Sequence, residues 1–293
     1  MKALVKIEGA VSLKGVLKQV NYGLHGVMFA AEKKEWSDLL RTPILANIAG
    51  QNPHFCKKLL HPYLTRNSRT PEKLVALKQH YDFVKTHFSK AMVAAVCAAP
   101  GMLLSEIVAE KVKGLELRLK CSRNDREGEF SLVLRQAESN LEMVTLSFTI
   151  IRYDGHYKVM FIGGLQGHKS VNRRQIVVLT RSLDGLRPKA LLLFALQQLA
   201  ALWGITRLRA VSDDKHTARH FLTQGVILAS YDKFWIERGG IMAIDGIFDL
   251  PLDFVTRKTS AIKPSKRKMY QRRYDLLANV GSQLKSNVLL FNS

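Results

Sequence analysis

The stretch QIVVLTRSLDGLRPKALLLFALQQLAALWGITRLRAVSDDKHTARHF, residues 175–221, decides the fold class. At its centre, residues 188–204 place Pro188 near a helix start and Gly204 just past its end, with apolar side chains on nearly every side between them. A helix that is apolar all round is a buried one. After it, residues 205–212 read as a strand with Leu208 and Ala210 on one face, and Ser212 or Asp213 then stands where a cap would open another helix. Before it, residues 175–180 are rich in β-branched residues and read as a strand, the alternative being a short helix starting at Asn172. Strand, buried helix, strand, capped helix is an α/β grammar.

Upstream the hydrophobic period is two. Leu115, Leu117 and Leu119 alternate with Glu116, Arg118 and Lys120, and Leu146, Phe148 and Ile150 alternate with Ser147 and Thr149, the pattern of half-buried strands. Asp154 and Gly155 separate the run ending at Tyr153 from the run 157–162, and a pair tolerant of positive φ suits a tight hairpin. From Glu32 to about Ser105 the pattern turns helical, with Leu74, Leu77, Tyr81, Val84 and Phe88 on one stripe and Thr70–Pro71 as cap and first turn. The expected architecture is α+β: a helical N-terminal part (1–110), then a mixed, mostly antiparallel sheet with a βαβα unit (111–256), then a basic C-terminal arm or helix (257–293).

With 293 residues, 47% hydrophobic and 24% charged, the chain can bury a sizeable core without disulfides or metals and is not a disordered or collagen-like polymer. Forty-five Lys and Arg against twenty-four Asp and Glu leave a net charge of +21, which favours anionic partners. Cys56, Cys97 and Cys121 stand far apart along the chain and form no CxxC, so neither a disulfide framework nor a structural zinc is expected, and a reducing compartment fits best. No paired histidine spacing supports a catalytic metal. The N-terminus alternates apolar and charged residues without the continuous apolar run of a signal peptide. The longest apolar run, 91–104, is too short to span a bilayer and is broken by Pro100 and Gly101.

Several residues are candidates for chemistry. Arg187 and Lys189 at a helix start oppose the helix dipole unless an anion lies between them, the alternative being solvation or pairing with Asp184. Ser212, Asp213, Asp214 and His216 follow a strand end, where α/β folds place ligands, and a carboxylate beside an imidazole suits a general base; capping explains Ser212 and Asp213 equally well. In FIGGLQG, residues 161–167, Gly163, Gly164 and Gly167 flank Gln166 and permit a bulge or a close approach to a ligand, with His168 and Lys169 just beyond. Tyr231, Phe234 and Trp235 beside Glu237 suit either a core or one wall of a pocket, and Glu237 is a second candidate base. For the basic stretch 257–273, an anionic membrane surface ranks first, a solvated tail second and nucleic acid third, because no nucleic-acid-binding motif accompanies the charge.

Read in order, FIGGLQG, LDGLRPKALLLFALQQLAALWGI, RLRAVSDDKH, YDKFWIERGG, DGIFDLP and KPSKRKMYQRRYDLL make the chain resemble the VirK/YbjX family of Gram-negative bacterial proteins. The resemblance implies a factor linked to envelope stress, virulence and tolerance of antimicrobial peptides; with the basic stretch and the net charge, the expectation is a cytoplasmic protein, peripheral at the inner face of the cytoplasmic membrane.

Residues 175–226 also look like the core of a GNAT-type acyltransferase. That likeness implies an acyl-coenzyme A cofactor held at the start of a helix by Arg181, Gly185, Arg187 and Lys189, with His216 or Glu237 taking the acceptor's proton, Asp213 beside them, and Gln166, His168, Ser212 and Trp235 around the pocket. The sequence departs from the GNAT pattern. Its glycine-rich loop is reduced to Gly185, Pro188 removes an amide donor, and the usual asparagine is Lys215. A non-catalytic binder of phosphorylated envelope molecules, or an anionic lipid, is the rival reading.

Overall fold

The computed structural model describes residues 28–42, 45–46, 48–49, 55–153, 157–220 and 230–292. The N-terminal helices are α1 (Ala30–Leu40), α2 (Thr70–His87) and α3 (Lys90–Cys97). Strands β1 (Met102–Ile107), β2 (Leu115–Cys121), β3 (Phe130–Gln136), β4 (Leu141–Tyr153) and β5 (Tyr157–Gly167) follow as an antiparallel meander. Then come α4 (Arg173–Ser182), α5 (Pro188–Leu202), β6 (Arg207–Ala210), α6 (Tyr231–Glu237), β7 (Ile241–Met242), β8 (Phe248–Leu250) and α7 (Arg267–Asn292). The eight strands lie in the order β1-β2-β3-β4-β5-β6-β8-β7, and β5–β6 is the parallel pair among them. The fold is α+β, with a mixed and mostly antiparallel sheet.

Helices cover both faces of the sheet. On β5, Met160 and Ile162 join one apolar cluster with α5 and the interior of the meander, while Phe161 joins a second with Trp36, Tyr63, Leu74 and Leu77. This is the alternation a strand imposes, applied to a strand covered on both sides. The half-buried reading of β4 is corrected for the same reason: Ser147 and Thr149 are as buried as Phe148, with their hydroxyls bonded to Ser131 Oγ and Tyr63 Oη, each at 3.0 Å. The hairpin is formed, with Tyr153 opposite Tyr157, and its Asp154–Gly155 turn lies outside the described residues. The compositional break near residue 110 falls after the first strand, β1.

The strand expected at 175–180 is helical. Asn172 Oδ1 accepts from Gln175 N at 3.0 Å and Gln175 Oε1 accepts from Asn172 N at 2.9 Å, a reciprocal cap that starts α4. In a helix, Ile176, Leu179 and Leu183 share one face, and Leu179 and Leu183 are fully buried. Local β propensity loses to a cap and a packed stripe. The strand that precedes the buried helix α5 in the βαβ unit is therefore β5, and residues 183–187 join two helices. Thr70 is the first residue of α2, not its cap, a place Arg69 takes with Glu72. The helix expected after Ser212 or Asp213 is, within the described residues, a turn and a 3-10 segment at Thr217–His220.

The C-terminal stretch is no loose arm. Helix α7 buries Leu277, Val280, Leu284 and Val288 against β1 and α5, while its first turns, with Arg267, Lys268 and Arg272, face solvent. No helix among the described residues is long and apolar enough to cross a membrane.

Candidate functional site

Strands β5 and β6 run side by side from Val159–Arg207 to Ile162–Ala210 and then part. Beyond that point β5 continues to Gly167 paired with β4 and no longer with β6, and the chain leaving β6 turns through Ser212, Asp213 and His216. Carboxyl ends of parallel strands, where neighbouring connections diverge, leave a crevice with outward-pointing groups. Two carboxylates, an imidazole, a phenol and an amine meet here.

The first carboxylate is Glu127, from the loop between β2 and β3. Its Oε2 accepts from Gln166 Nε2 at 3.2 Å, and its Oε1 stands 3.3 Å from His216 Nε2, with both Glu127 and His216 buried. It reaches this place because Gly163 and Gly164 have no side chains: a Cβ on either would overlap Glu127, the first at its backbone carbonyl, the second at its carboxylate. The β4–β5 register shifts between Ser147 and Phe148, leaving Gly163 as the bulged residue. The glycine cluster thus serves a bulge and a close approach together, and the group that approaches is protein.

His216 Nδ1 accepts from Ala218 N at 3.2 Å, so the neutral ring carries its proton on Nε2, facing Glu127. The contact has the length of an ion pair without an aligned hydrogen bond. The His216 ring centre is 5.0 Å from that of Tyr231, at the start of α6. Tyr231 Oη accepts from Leu165 N at 3.2 Å, on the part of β5 that has left β6, so the hydroxyl proton remains available to a third group. Burial, and then the Glu127 charge, push the Tyr231 phenol well above its ordinary pKa.

Asp213 positions that tyrosine. Its Oδ1 accepts from Tyr231 N at 2.8 Å and its Oδ2 from Ser230 Oγ at 2.6 Å, while its own amide donates to Asp232 Oδ1 at 2.7 Å. The Lys189 amine lies 5.9 Å from the Tyr231 ring centre, and burial, then Arg187, lower its pKa against the opposing pull of Asp213.

Sequence candidates therefore divide. Gln166, Asp213, His216 and Lys189 converge on Glu127 and Tyr231. Ser212 lies just before them, fully buried, its hydroxyl accepting from Lys215 N at 3.3 Å in a turn. Glu237 is half-exposed in an ion pair with Arg187 and has no contact with His216 among the described residues. Trp235 is wholly buried, donating from Nε1 to Val211 O at 2.9 Å, which makes it core. Exposed His168 bonds Ser170 Oγ through Nδ1 at 2.7 Å, and Arg181 is exposed at the end of α4.

Gly185, at φ +75°, backs onto Arg273 of α7, and neighbouring Asp184 takes Arg272 on its carboxylate at 2.6 Å and Arg273 on its carbonyl at 2.7 Å. The loop first assigned to phosphates is thus packed against a helix. The loop that follows the parallel strand is 168–172, where His168, Lys169, Arg173 and Arg174 are exposed around the start of α4.

A second buried polar cluster lies across β4. Lys58 pairs with Glu129, whose Oε1 also accepts from Tyr63 Oη at 2.8 Å and whose Oε2 accepts from Tyr81 Oη. Burial pushes the Glu129 carboxyl up, but Lys58, His80 and the hydrogen bonds outweigh it and hold it below its ordinary value. Burial lowers His80 to about 4. Cys97 Sγ and Cys121 Sγ, distant in sequence, lie 2.7 Å apart.

These features define an α+β protein with a mixed sheet and a polar site where its parallel strands part. The chain belongs to the family described as protein of unknown function DUF535, whose model matches residues 12–286. It is 29% identical over 257 residues to the uncharacterized protein YbjX of Escherichia coli, covering 85% of this chain and 77% of that one. It is 23% identical over 268 residues to an uncharacterized protein of Haemophilus influenzae, covering 90% and 88%. Among solved structures, a cAMP-binding acyltransferase from Mycobacterium smegmatis aligns at TM-score 0.29 and 11% identity over 73% of this chain, which spans 61% of that one. A mutant of the same acyltransferase aligns at TM-score 0.31, again at 11% identity, and the chain spans 60% of it.

Proposed function

We propose that the protein transfers an acyl group from an acyl-coenzyme A to an amine or hydroxyl acceptor at the Glu127–His216–Tyr231 site. One observation carries this reading: a buried carboxylate held 3.2 Å from Gln166 and 3.3 Å from His216, close to a buried phenol whose oxygen is pinned by the Leu165 amide, at the parting of two parallel strands. Burying a carboxylate costs several kcal/mol unless it is paired, and such sites concentrate acid–base chemistry.

A bound acyl-coenzyme A supplies a thioester, whose acyl carbon the acceptor attacks as the carbon–sulfur bond breaks. Glu127 accepts the proton that the nucleophile loses. Gln166 holds that carboxylate by a hydrogen bond, and His216 turns Nε2 towards it, since its Nδ1 already accepts from Ala218 N. Tyr231, whose oxygen accepts from Leu165 N and whose own proton is thereby left free, donates that proton to the leaving thiolate. The acceptor gains the acyl group and loses its proton to Glu127, the thiolate gains a proton from Tyr231, and passage of the proton from Glu127 to the Tyr231 phenolate restores both groups. Lys169, Arg173 and Arg174, exposed at the start of α4 just beyond β5, suit the phosphates better than Arg187, which Glu237 engages, or Gly185, which Arg273 covers.

Isothermal titration of the purified protein with coenzyme A and acetyl-coenzyme A tests the donor. Saturable binding, abolished in Lys169→Ala/Arg173→Ala and kept in Arg181→Ala, is expected. A folded protein that takes up neither compound at millimolar concentration overturns the reading.

A further inference from the structure

Six of the thirteen large hydrophobic side chains exposed among the described residues fall in one lobe. Ile236 is 62% exposed, Ile241 74%, Met242 50%, Leu252 39% and Val255 61%, and Ile244 is fully exposed. All fall within residues 236–255, comprising the end of α6, the outermost strand β7, the β7–β8 turn and the segment after β8. Gly239 and Gly240 tie these parts together, Gly239 lying against Pro251 and Val255. Scattered exposed aliphatics are ordinary, but a contiguous group marks an interaction surface.

Beside the lobe sits a group of arginines. Arg187 and Arg238 each lie 5.8 Å from the Phe234 ring centre. Arg273 and Arg257 are near enough to Arg238 for their charges, after burial and Arg187, to lower its pKa against the single opposing carboxylate of Glu237. Arg238 Nε is buried without a hydrogen-bond partner among the described residues. Of the lobe's other carboxylates, Asp245 pairs with Arg209 and Asp249 pairs with Arg207 and Arg209, which leaves exposed Asp253 against the cations around it. Lys258, Lys263, Lys266, Arg267 and Lys268 continue the positive surface with exposed side chains. Aliphatic residues projecting beside an unbalanced group of cations complement an anionic interface with an apolar interior.

We propose that the 236–255 lobe and the adjoining Arg187–Arg238–Arg257 group dock the protein peripherally on an anionic lipid bilayer, Ile241, Met242 and Ile244 entering the acyl-chain boundary while the guanidinium groups bind headgroup phosphates. The net charge of +21 draws the protein to the surface, and the aliphatic side chains keep it there. The substitutions that test this surface fall outside the Glu127–His216–Tyr231 group and its hydrogen-bond partners among the described residues.

The test is co-sedimentation of the full chain with vesicles of phosphatidylcholine alone, or with about one third phosphatidylglycerol, at low and high salt. The expected result is binding to the anionic vesicles only, weakened about tenfold in Arg238→Gln/Arg257→Gln and about fivefold or more in Ile241→Ser/Ile244→Ser. The serine variant is decisive, because it changes no charge and only exposed side chains, so adsorption by net charge alone leaves it at wild-type binding and overturns the proposal. A dimer that the serine variant dissociates in light scattering, with vesicle binding unchanged, assigns the lobe to a second copy and also overturns it. Circular dichroism of both variants establishes that they fold.

Discussion

Gly164 of strand β5 packs against the carboxylate of Glu127 so closely that a methyl group on it would overlap Oε2. The candidate site is thereby defined by an absent side chain as much as by those present. Gly163, its neighbour, meets the Glu127 backbone carbonyl instead.

The two glycines therefore predict different outcomes. In Gly164→Ala the obstacle is the end of a flexible side chain, so the carboxylate moves off Gln166 and His216 while the fold stays within about 1 kcal/mol of wild type. In Gly163→Ala the obstacle is backbone, and the cost is about 3 kcal/mol or more. Urea unfolding of both variants checks the contrast, and equal midpoints would refute it.

Stability should fall as pH drops from about 6.5 towards 4. His80 has a folded pKa of about 4, below its ordinary 6.5, so over that window the unfolded chain binds a proton that the folded chain refuses. The full effect is on the order of 3 kcal/mol. Glu129, also held below its ordinary value, adds a loss of the same sign once pH falls through the carboxylate range. Denaturant midpoints measured between pH 7 and 4 should slope downward, and His80→Leu should flatten the upper part of that slope while lowering stability overall, because Ile150 N loses its acceptor.

The sequence position of the cysteines suggested no pairing, yet Cys97 and Cys121 are in sulfur contact while Cys56 is exposed. Mild oxidation with copper phenanthroline should remove two electrons and two protons from the first pair and leave one titratable thiol of the three. Cys56→Ser should leave that reaction intact and Cys121→Ser should abolish it.

Helix α7 is a structural member, not a detachable basic arm. Leu284 is fully buried on its inner face, so Leu284→Ala should cost about 2–5 kcal/mol in denaturant unfolding. Substituting exposed Lys268 by Gln should change stability by less than about 0.5 kcal/mol.

Much of the architecture is legible in the chain. The alternation through Leu115, Leu117 and Leu119, the hairpin into Tyr157 and the buried helix from Pro188 to Gly204 each follow from local periodicity and breakers. Residues 175–180 do not yield to such reading, because the reciprocal cap of Asn172 and Gln175 and the packing of Leu179 outweigh a β-branched run. The site is half legible. Asp213 and His216 announce themselves by following a strand end and Gln166 by its flanking glycines, whereas Glu127 is delivered by a loop far away in sequence and only the paired glycines hint at it. Glu237 has the right chemistry, but the turn of helix that buries Trp235 sends it outward to Arg187.

The most direct test of the account is the rate at which free coenzyme A is released from acetyl-coenzyme A in the presence of a panel of primary amines and alcohols, compared for wild type and Glu127→Gln by mass spectrometry. The account predicts acceptor-dependent release by the wild type, reduced about a hundredfold or more in Glu127→Gln with coenzyme A affinity unchanged within about threefold. Release at the same rate in both proteins, or no acceptor-dependent release by a wild type that binds coenzyme A, would contradict it.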